Sequence, residues 1–324
     1  MSKQDILIEA RGLVKHFGTK GPKGKKQVVH ALNDVSFDVK RGQTFGIVGE
    51  SGCGKTTAGR VIMRLTEPTA GEVMFEGQSL FKLGRREMKA VRKDIQMVFQ
   101  DPFASLDPRM TVGQILTEPL DIHRIGSRLS RRKKVEEILE MVGLQPSYYS
   151  RYPHEFSGGQ RQRIGIARVL VLEPKLVICD EPVSALDVSI QSQILNLMND
   201  MQKRFNLTYI FIAHGLNVVK HISDRIGVMY LGRMVEVLSS DELFKNPLHP
   251  YTEALLSAIP TPDPERPPNR ILLEGDIPSP INPPEGCCFH TRCPYCRLRC
   301  KSEIPVPANY GERMVACHYP LNSI

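Results

Sequence analysis

The nine residues from Gly49 to Thr57, GESGCGKTT, fit G-x-x-x-x-G-K-[ST] and constrain the fold of this chain more than any other stretch. Phe45, Gly46, Ile47 and Val48 precede them and read as a short buried strand, and Lys55 to Leu65 reads as a helix. Strand, glycine loop and helix in that order are what a phosphate-binding loop needs. Glycines at 49, 52 and 54 let the backbone curl so that its N–H groups point inward, and the positive helix end adds to the attraction for phosphate. The candidate contact set is therefore Gly49, Glu50, Ser51, Gly52, Cys53, Gly54, Lys55, Thr56 and Thr57. Within it, Lys55 is expected to reach the β- and γ-phosphates and the Thr56 hydroxyl to hold Mg²⁺.

Composition bounds what surrounds this loop. The 324 residues allow one large domain or two modest ones, and 41% hydrophobic with 24% charged residues suits a soluble globular chain with a real core. No apolar run approaches the roughly 18 residues expected of a membrane helix. Asp5 and Glu9 interrupt any apolar stretch at the N-terminus, which does not read as a signal peptide, so a cytoplasmic chain is expected. The net charge of +8 includes a lysine cluster at 20–26. No aromatic residues interleave with it, which favours a solvated loop over a nucleic-acid or membrane contact.

From Ile6 to about Ser240 strand-like and helix-like segments alternate. Val35, Phe37 and Val39 alternate with Ser36, Asp38 and Lys40, the pattern of a half-exposed antiparallel strand. Leu176–Cys179 and Tyr209–Ile212 are unbroken apolar runs, expected of parallel strands covered on both faces. Between Met110 and Arg151 the pattern turns helical, with Val135, Ile138, Leu139 and Val142 on one face, Ser130 as a candidate cap and Gly143 as a stop. A second strong helix is expected over Asp187–Phe205. Beyond residue 246 the texture changes: 15 of the 24 prolines fall between Pro247 and Pro320, which argues against long helices there.

Two more segments carry chemistry. LVICDE, Leu176 to Glu181, is an apolar strand delivering two carboxylates at its carboxyl end. Asp180 is suited to orienting Mg²⁺ through water, and Glu181, one residue farther, to polarising an attacking water. Ser157 and Gln160 of SGGQ stand at capping-box spacing before a helix, so Ser157, Gly158, Gly159 and Gln160 form a second candidate phosphate site. Two γ-phosphate grips in one chain exceed the need of one nucleotide domain. A head-to-tail pair of domains, each completing the other's site, resolves the excess.

With GESGCGKT, SGGQ and LVICDE in this order, the chain resembles the ATP-binding-cassette ATPases over about residues 6–245. The resemblance implies a P-loop α/β core with an antiparallel β subdomain and an inserted helical subdomain at about 101–165. It also implies Gln100 of MVFQDP as the Q-loop residue, reaching Mg²⁺ and water together with Thr56 and Asp180. Ser184 to Asp187 match the D-loop, His214 the switch histidine and Phe17 the adenine-stacking aromatic. One position departs: the family usually has Asp after the switch histidine, and Gly215 stands here.

FQDPFASLDPRMTVGQIL, NPLHPYTEALLSAIP and GCCFHTRCP are similar to the oligopeptide/dipeptide importer subfamily, and the last two lie outside the generic cassette. The resemblance implies a C-terminal extension at 246–324 and an ATPase subunit for di- or oligopeptide import. Its partners would be a second cassette ATPase, identical or related, two membrane permeases and, indirectly, an extracytoplasmic binding protein. The expected location is peripheral, on the cytoplasmic face of the membrane. A soluble cassette protein acting on nucleic acid is the competing class, but it usually carries two cassettes or large insertions. Related importers carry nickel or oligosaccharides, so cargo rests on the resemblance alone.

Six of the eight cysteines crowd into residues 287–317, and a reducing cytosol favours metal binding over disulfides. The subfamily pattern assigns Cys287, Cys293, Cys300 and Cys317 as ligands, leaving Cys288 and Cys296 spare. C-x5-C-x6-C-x16-C lacks the close pairs common in zinc modules, and four thiolates suit a [4Fe–4S] cluster, with Zn²⁺ the alternative. The expected module is small and cysteine-rich, and its metal group serves to hold a proline-rich segment together.

Overall fold

The computed structural model describes residues 5–20, 24, 26–101, 105–259 and 271–322. The lysine cluster at positions 21–23 and 25, residues 102–104 of the FQDPFASLDP stretch, and prolines within 260–270 lie outside them. Two compact units share the chain. One gathers the residues up to Leu7, Lys40–Gln43 and Lys82–Phe211; the other gathers Ile8–Val39, Thr44–Phe81 and the residues from Ile212 onward. No helix among the described residues is long and apolar enough to cross a membrane.

In the unit that contains the glycine loop, a four-stranded antiparallel layer runs in the order Lys26–Lys40, Ile6–Lys20, Ala70–Phe75, Gln78–Ser79. Val35, Phe37 and Val39 are buried and Ser36 is exposed, as the alternation predicts. A second layer is built on Thr44–Val48, every residue of which is buried. It pairs in parallel with Arg225–Tyr230, which pairs antiparallel with Arg233–Ser239. Phe37 and Phe45 stack at 4.7 Å between the two layers. Arg233–Ser239 is extended in turn by two short strands from the tail, Arg313–Val315 and Ala308–Tyr310. Sequence pattern alone gives no sign of these last two: three residues each are too few to show a period. The buried Glu236 carboxylate accepts the N–H groups of Leu248 and His249 at 2.7 and 3.1 Å, tying the start of the extension to the sheet.

The other unit carries the strands Thr208–Ile212, Leu176–Asp180 and Ile95–Val98, the last two paired in parallel. Leu176–Asp180 and Thr208–Ile212 are buried throughout, the coverage their apolar runs predict. Its helices include Val112–Ile122, Arg128–Met141, Gly158–Leu170 and Val188–Phe205. Two expected boundaries are corrected. Ser127, not Ser130, caps Arg128–Met141: Ser130 is the third helical residue, and its hydroxyl accepts the Ser127 N–H in a reciprocal box. In the unit of the glycine loop, the helix from Lys55 ends at Ile62 rather than Leu65, because Arg64 adopts φ +51°, which a right-handed helix cannot continue.

Candidate functional site

The strand Thr44–Val48 feeds the loop at 49–54, and the loop feeds the helix Lys55–Ile62. Two glycines are there for reasons of space. At Gly49, φ is +154°, and a Cβ would lie 2.1 Å from the Met229 carbonyl oxygen. At Gly54, φ is +105°, and a Cβ would lie 2.3 Å from the Ala31 carbonyl oxygen. Any side chain at either position forces backbone to move. Lys55 is only 4% exposed. Its Nζ donates to the carbonyls of Gly49 and Glu50 at 2.8 and 3.0 Å and lies 3.3 Å from His214 Nδ1. The structure thus brings Lys55 and the switch histidine together inside one unit. Burial raises the Cys53 thiol above its ordinary range, and the Lys55 charge opposes that shift. Ser51 and Gly52 form the exposed tip of the loop, while Thr56 and Thr57 are half-buried.

Glu50 has partners beyond the loop. Its N–H donates to Tyr251 Oη at 2.9 Å, and its carboxylate pairs with Arg292. Its N–H and carboxylate thus bond to residues of the 246–324 stretch, while its carbonyl accepts Lys55 Nζ within the loop. Phe17 is 40% exposed, with Lys15 Nζ 4.8 Å from its ring centroid. Gly215 precedes the helix Leu216–Ile222 as its cap residue with an ordinary extended backbone. A Cβ there would meet only Val218 at 4.0 Å, so space does not forbid the usual Asp.

The other unit holds the carboxylates. Asp180 ends its strand 3% exposed, and Glu181 is 5% exposed. Gln100 Nε2 donates to Glu181 Oε2 at 2.7 Å. Glu181 has φ +49°, unusual for a residue with a side chain. Its carbonyl accepts both the N–H and the hydroxyl of Ser184. A non-glycine residue held in this conformation costs on the order of 1–3 kcal/mol and persists only where the surroundings impose it. Burial, the Gln100 bond and this backbone together fix where the carboxylate points.

In the same unit Ser157 caps Gly158–Leu170. Its hydroxyl accepts the Gln160 N–H at 3.4 Å, and Gln160 Oε1 accepts the Ser157 N–H at 3.0 Å. Ser157 is exposed and the three following residues are half-buried. A Cβ on Gly159 would lie 2.7 Å from Ile190, and one on Gly158 3.6 Å from Leu186, so the signature packs beside the D-loop. Ser184, Ala185 and Asp187 are exposed, and Val188 is 78% exposed.

In the extension, Cys287, Cys293, Cys300 and Cys317 line one small cavity with His249, Phe289 and Tyr319. Cys288 lines a different cavity, and its Sγ lies 3.9 Å from the Tyr230 carbonyl; the Cys296 Sγ lies 3.7 Å from the Arg297 carbonyl. The Cys287 N–H donates to the Cys300 carbonyl at 2.8 Å, fixing that pair of backbones. Burial pushes Cys293 up to about 12 and Cys317 to about 11. Cys287 moves the other way: the Cys288 thiol and then His249 hydrogen-bond to it and favour its thiolate. Among the described residues, no three or more His, Cys, Asp or Glu side chains gather as the ligand set of a metal ion.

Loop, carboxylates and signature together define a nucleotide-binding cassette, and the comparisons agree. The ABC transporter family model matches residues 32–184, and the model for the C-terminal region of oligopeptide/dipeptide transporters matches residues 235–300. The oligopeptide transport ATP-binding protein AppF of Bacillus subtilis is 54% identical over 329 residues, covering 98% of each chain. The di/tripeptide transport ATP-binding protein DppF of Pseudomonas aeruginosa is 50% identical, covering 97% of this chain and 98% of its own. Among solved structures, the dimeric post-hydrolysis state of the cassette MJ0796 bound to ADP and Pi superposes with a TM-score of 0.64 at 29% identity. It covers 72% of this chain and 98% of that one. This chain belongs to the ABC transporter family, in the group of oligopeptide and dipeptide transport ATP-binding proteins.

Proposed function

We propose that this chain is the ATP-hydrolysing subunit that powers import of di- or oligopeptides through a membrane permease. The observation that carries the reading is that relatives named for oligopeptide and di/tripeptide transport align over 97–98% of it, extension included. The proposed organisation is a cassette to residue 245, a helical part at about 101–165 and an extension at 246–324.

Each group has a role that its surroundings support. Backbone N–H groups of the glycine loop and the Lys55 ammonium hold the β- and γ-phosphates. Mg²⁺, when bound, neutralises charge on those phosphates, and Thr56, Gln100 and Asp180 are the residues suited to hold it. Glu181 accepts the proton of the water that attacks the γ-phosphate, and its bond to Gln100 keeps the carboxylate aimed. His214 contacts the γ-phosphate, Phe17 stacks on adenine, and Asp187 supports the interface. The signature, Ser157 to Gln160, grips ATP held by a second ATPase subunit. Two permeases and, through them, an extracytoplasmic peptide-binding protein complete the assembly. The chain is peripheral at the cytoplasmic face and takes no nucleic acid.

The reading of Cys287, Cys293, Cys300 and Cys317 as [4Fe–4S] ligands, with Zn²⁺ the alternative, is supported by their lining one cavity. When bound, the group cross-links a segment too small to build much core.

Glu181→Gln is the test of the catalytic assignment. ATP affinity is expected to hold while turnover falls about 100- to 10,000-fold; normal turnover would overturn it. Purification without oxygen is expected to yield brown protein with about four irons and four sulfides per chain. Colourless protein with stoichiometric zinc would replace the cluster and spare the four-cysteine assignment.

A further inference from the structure

The phosphate loop is held from its side by residues of the extension. Arg292 Nη1 donates to Glu50 Oε2 at 2.7 Å and Nη2 to Oε1 at 3.1 Å, a two-pronged pair between residues 242 positions apart. The Arg292 side chain is 8% exposed and that of Glu50 is 24% exposed, so solvent screens the pair poorly. Both ends are fixed elsewhere. The Arg292 N–H donates to the Phe289 carbonyl, and the Glu50 N–H to Tyr251 Oη. Phe289 packs on Tyr230, Tyr251 and His249, with ring centroids 5.2, 5.3 and 5.7 Å away. His249 and Phe289 line the four-cysteine cavity, and Tyr251 bonds to the glycine loop.

The Glu50 carbonyl is also one of the two that receive the Lys55 ammonium. A shift of Glu50 therefore moves an acceptor of the lysine that the loop supplies to phosphate. Nothing in G-x-x-x-x-G-K-[ST] requires a carboxylate at Glu50. Its Arg292 partner gives that carboxylate a purpose.

We infer that Arg292 is a positioning residue for nucleotide binding: by gripping Glu50 from the extension, it sets the backbone of the phosphate loop and with it the Lys55 ammonium. A two-pronged guanidinium–carboxylate pair fixes orientation as well as distance, which an ammonium at the same place does not. The alternative is a staple that stabilises the fold and leaves the loop unaffected.

The two are separated by measuring, on the purified full chain, the equilibrium affinity for a fluorescent non-hydrolysable ATP analogue with Mg²⁺ alongside Tm. Arg292→Gln and Glu50→Gln are each expected to weaken binding about tenfold, and the double variant by no more than either alone, because one interaction is lost in all three. Arg292→Lys keeps the charge and loses the fork, and is expected to recover part of the loss, ending about threefold weaker than the natural chain. In ATPase assays KM should rise with kcat within about twofold, since the pair acts before chemistry. A lowered Tm with affinity unchanged within twofold, or losses that multiply in the double variant, would overturn the inference. Should Arg292→Gln fail to fold, Arg292→Lys decides alone: affinity equal to that of the natural chain overturns the inference.

Discussion

Two glycine-rich helix starts in this chain are built in opposite ways. The loop at 49–54 is walled in: Gly49 lies against the Met229 carbonyl, Gly54 against the Ala31 carbonyl, and Glu50 is bonded to Tyr251 and Arg292. The signature at 157–160 relies on its own capping box, with Ser157 exposed. A loop that encloses a ligand held by its own unit gains from a rigid frame. A loop that presents N–H groups to a ligand held by another subunit must leave them accessible. The contrast matches the proposed division of work.

The sharpest way to break the comparison is to add one methyl group to each loop. Gly49→Ala drives a Cβ onto a backbone oxygen at a φ that alanine does not adopt, and is expected to cost about 3 kcal/mol of stability and most ATP affinity. Gly158→Ala brings only ordinary contact with Leu186 at 3.6 Å. It should leave Tm unchanged, with stability within about 0.5 kcal/mol, and impair only ATPase activity of the assembled pair. Equal thermal shifts by calorimetry would refute the contrast.

A smaller effect is expected at the signature cap. Ser157→Ala removes the acceptor for the Gln160 N–H and should cost about 1 kcal/mol of stability by denaturant titration. Assembly-dependent hydrolysis should fall further than stability does. No loss of either would mean that the hydroxyl neither caps the helix nor reaches a nucleotide.

Gly215→Asp is the mildest change. The site is open, the backbone is extended and the residue caps Leu216–Ile222, so a gain of a few tenths of a kcal/mol is expected. A rise in hydrolysis rate on the same substitution would show that the missing carboxylate limits His214. An unchanged rate would show that the contact with Lys55 is enough to hold the histidine.

These outcomes bear on what a sequence reveals. The phosphate loop and the signature were legible because each is a local backbone problem, solved by glycines or a capping box within four to nine residues. Asp180 and Glu181 were legible as a strand end; the positive φ of Glu181 and its bond to Gln100 were not, because tertiary contacts impose them. Ser130 was read as a cap because Ser127 offers the same chemistry three residues earlier, and a reciprocal box looks alike from either end. The pairing of Glu50 with Arg292 was not legible, because no pattern links residues 242 positions apart. The strands Ala308–Tyr310 and Arg313–Val315 escaped notice because three residues each show no period, and because Arg313–Val315, which pairs with Ala308–Tyr310, finds its other partner, Arg233–Ser239, far back in the sequence.

The separation of Glu50 and Arg292 has a consequence in time. Ribosomes add about 5–20 residues per second, so roughly 10–50 s pass between the synthesis of these two residues. From the synthesis of Thr57 onward the nascent cassette carries its complete phosphate-loop sequence, first without either brace and, once Tyr251 is made, still without the Arg292 guanidinium. A message truncated anywhere between Thr57 and Arg292 yields a polypeptide whose motif is whole and whose guanidinium brace is missing.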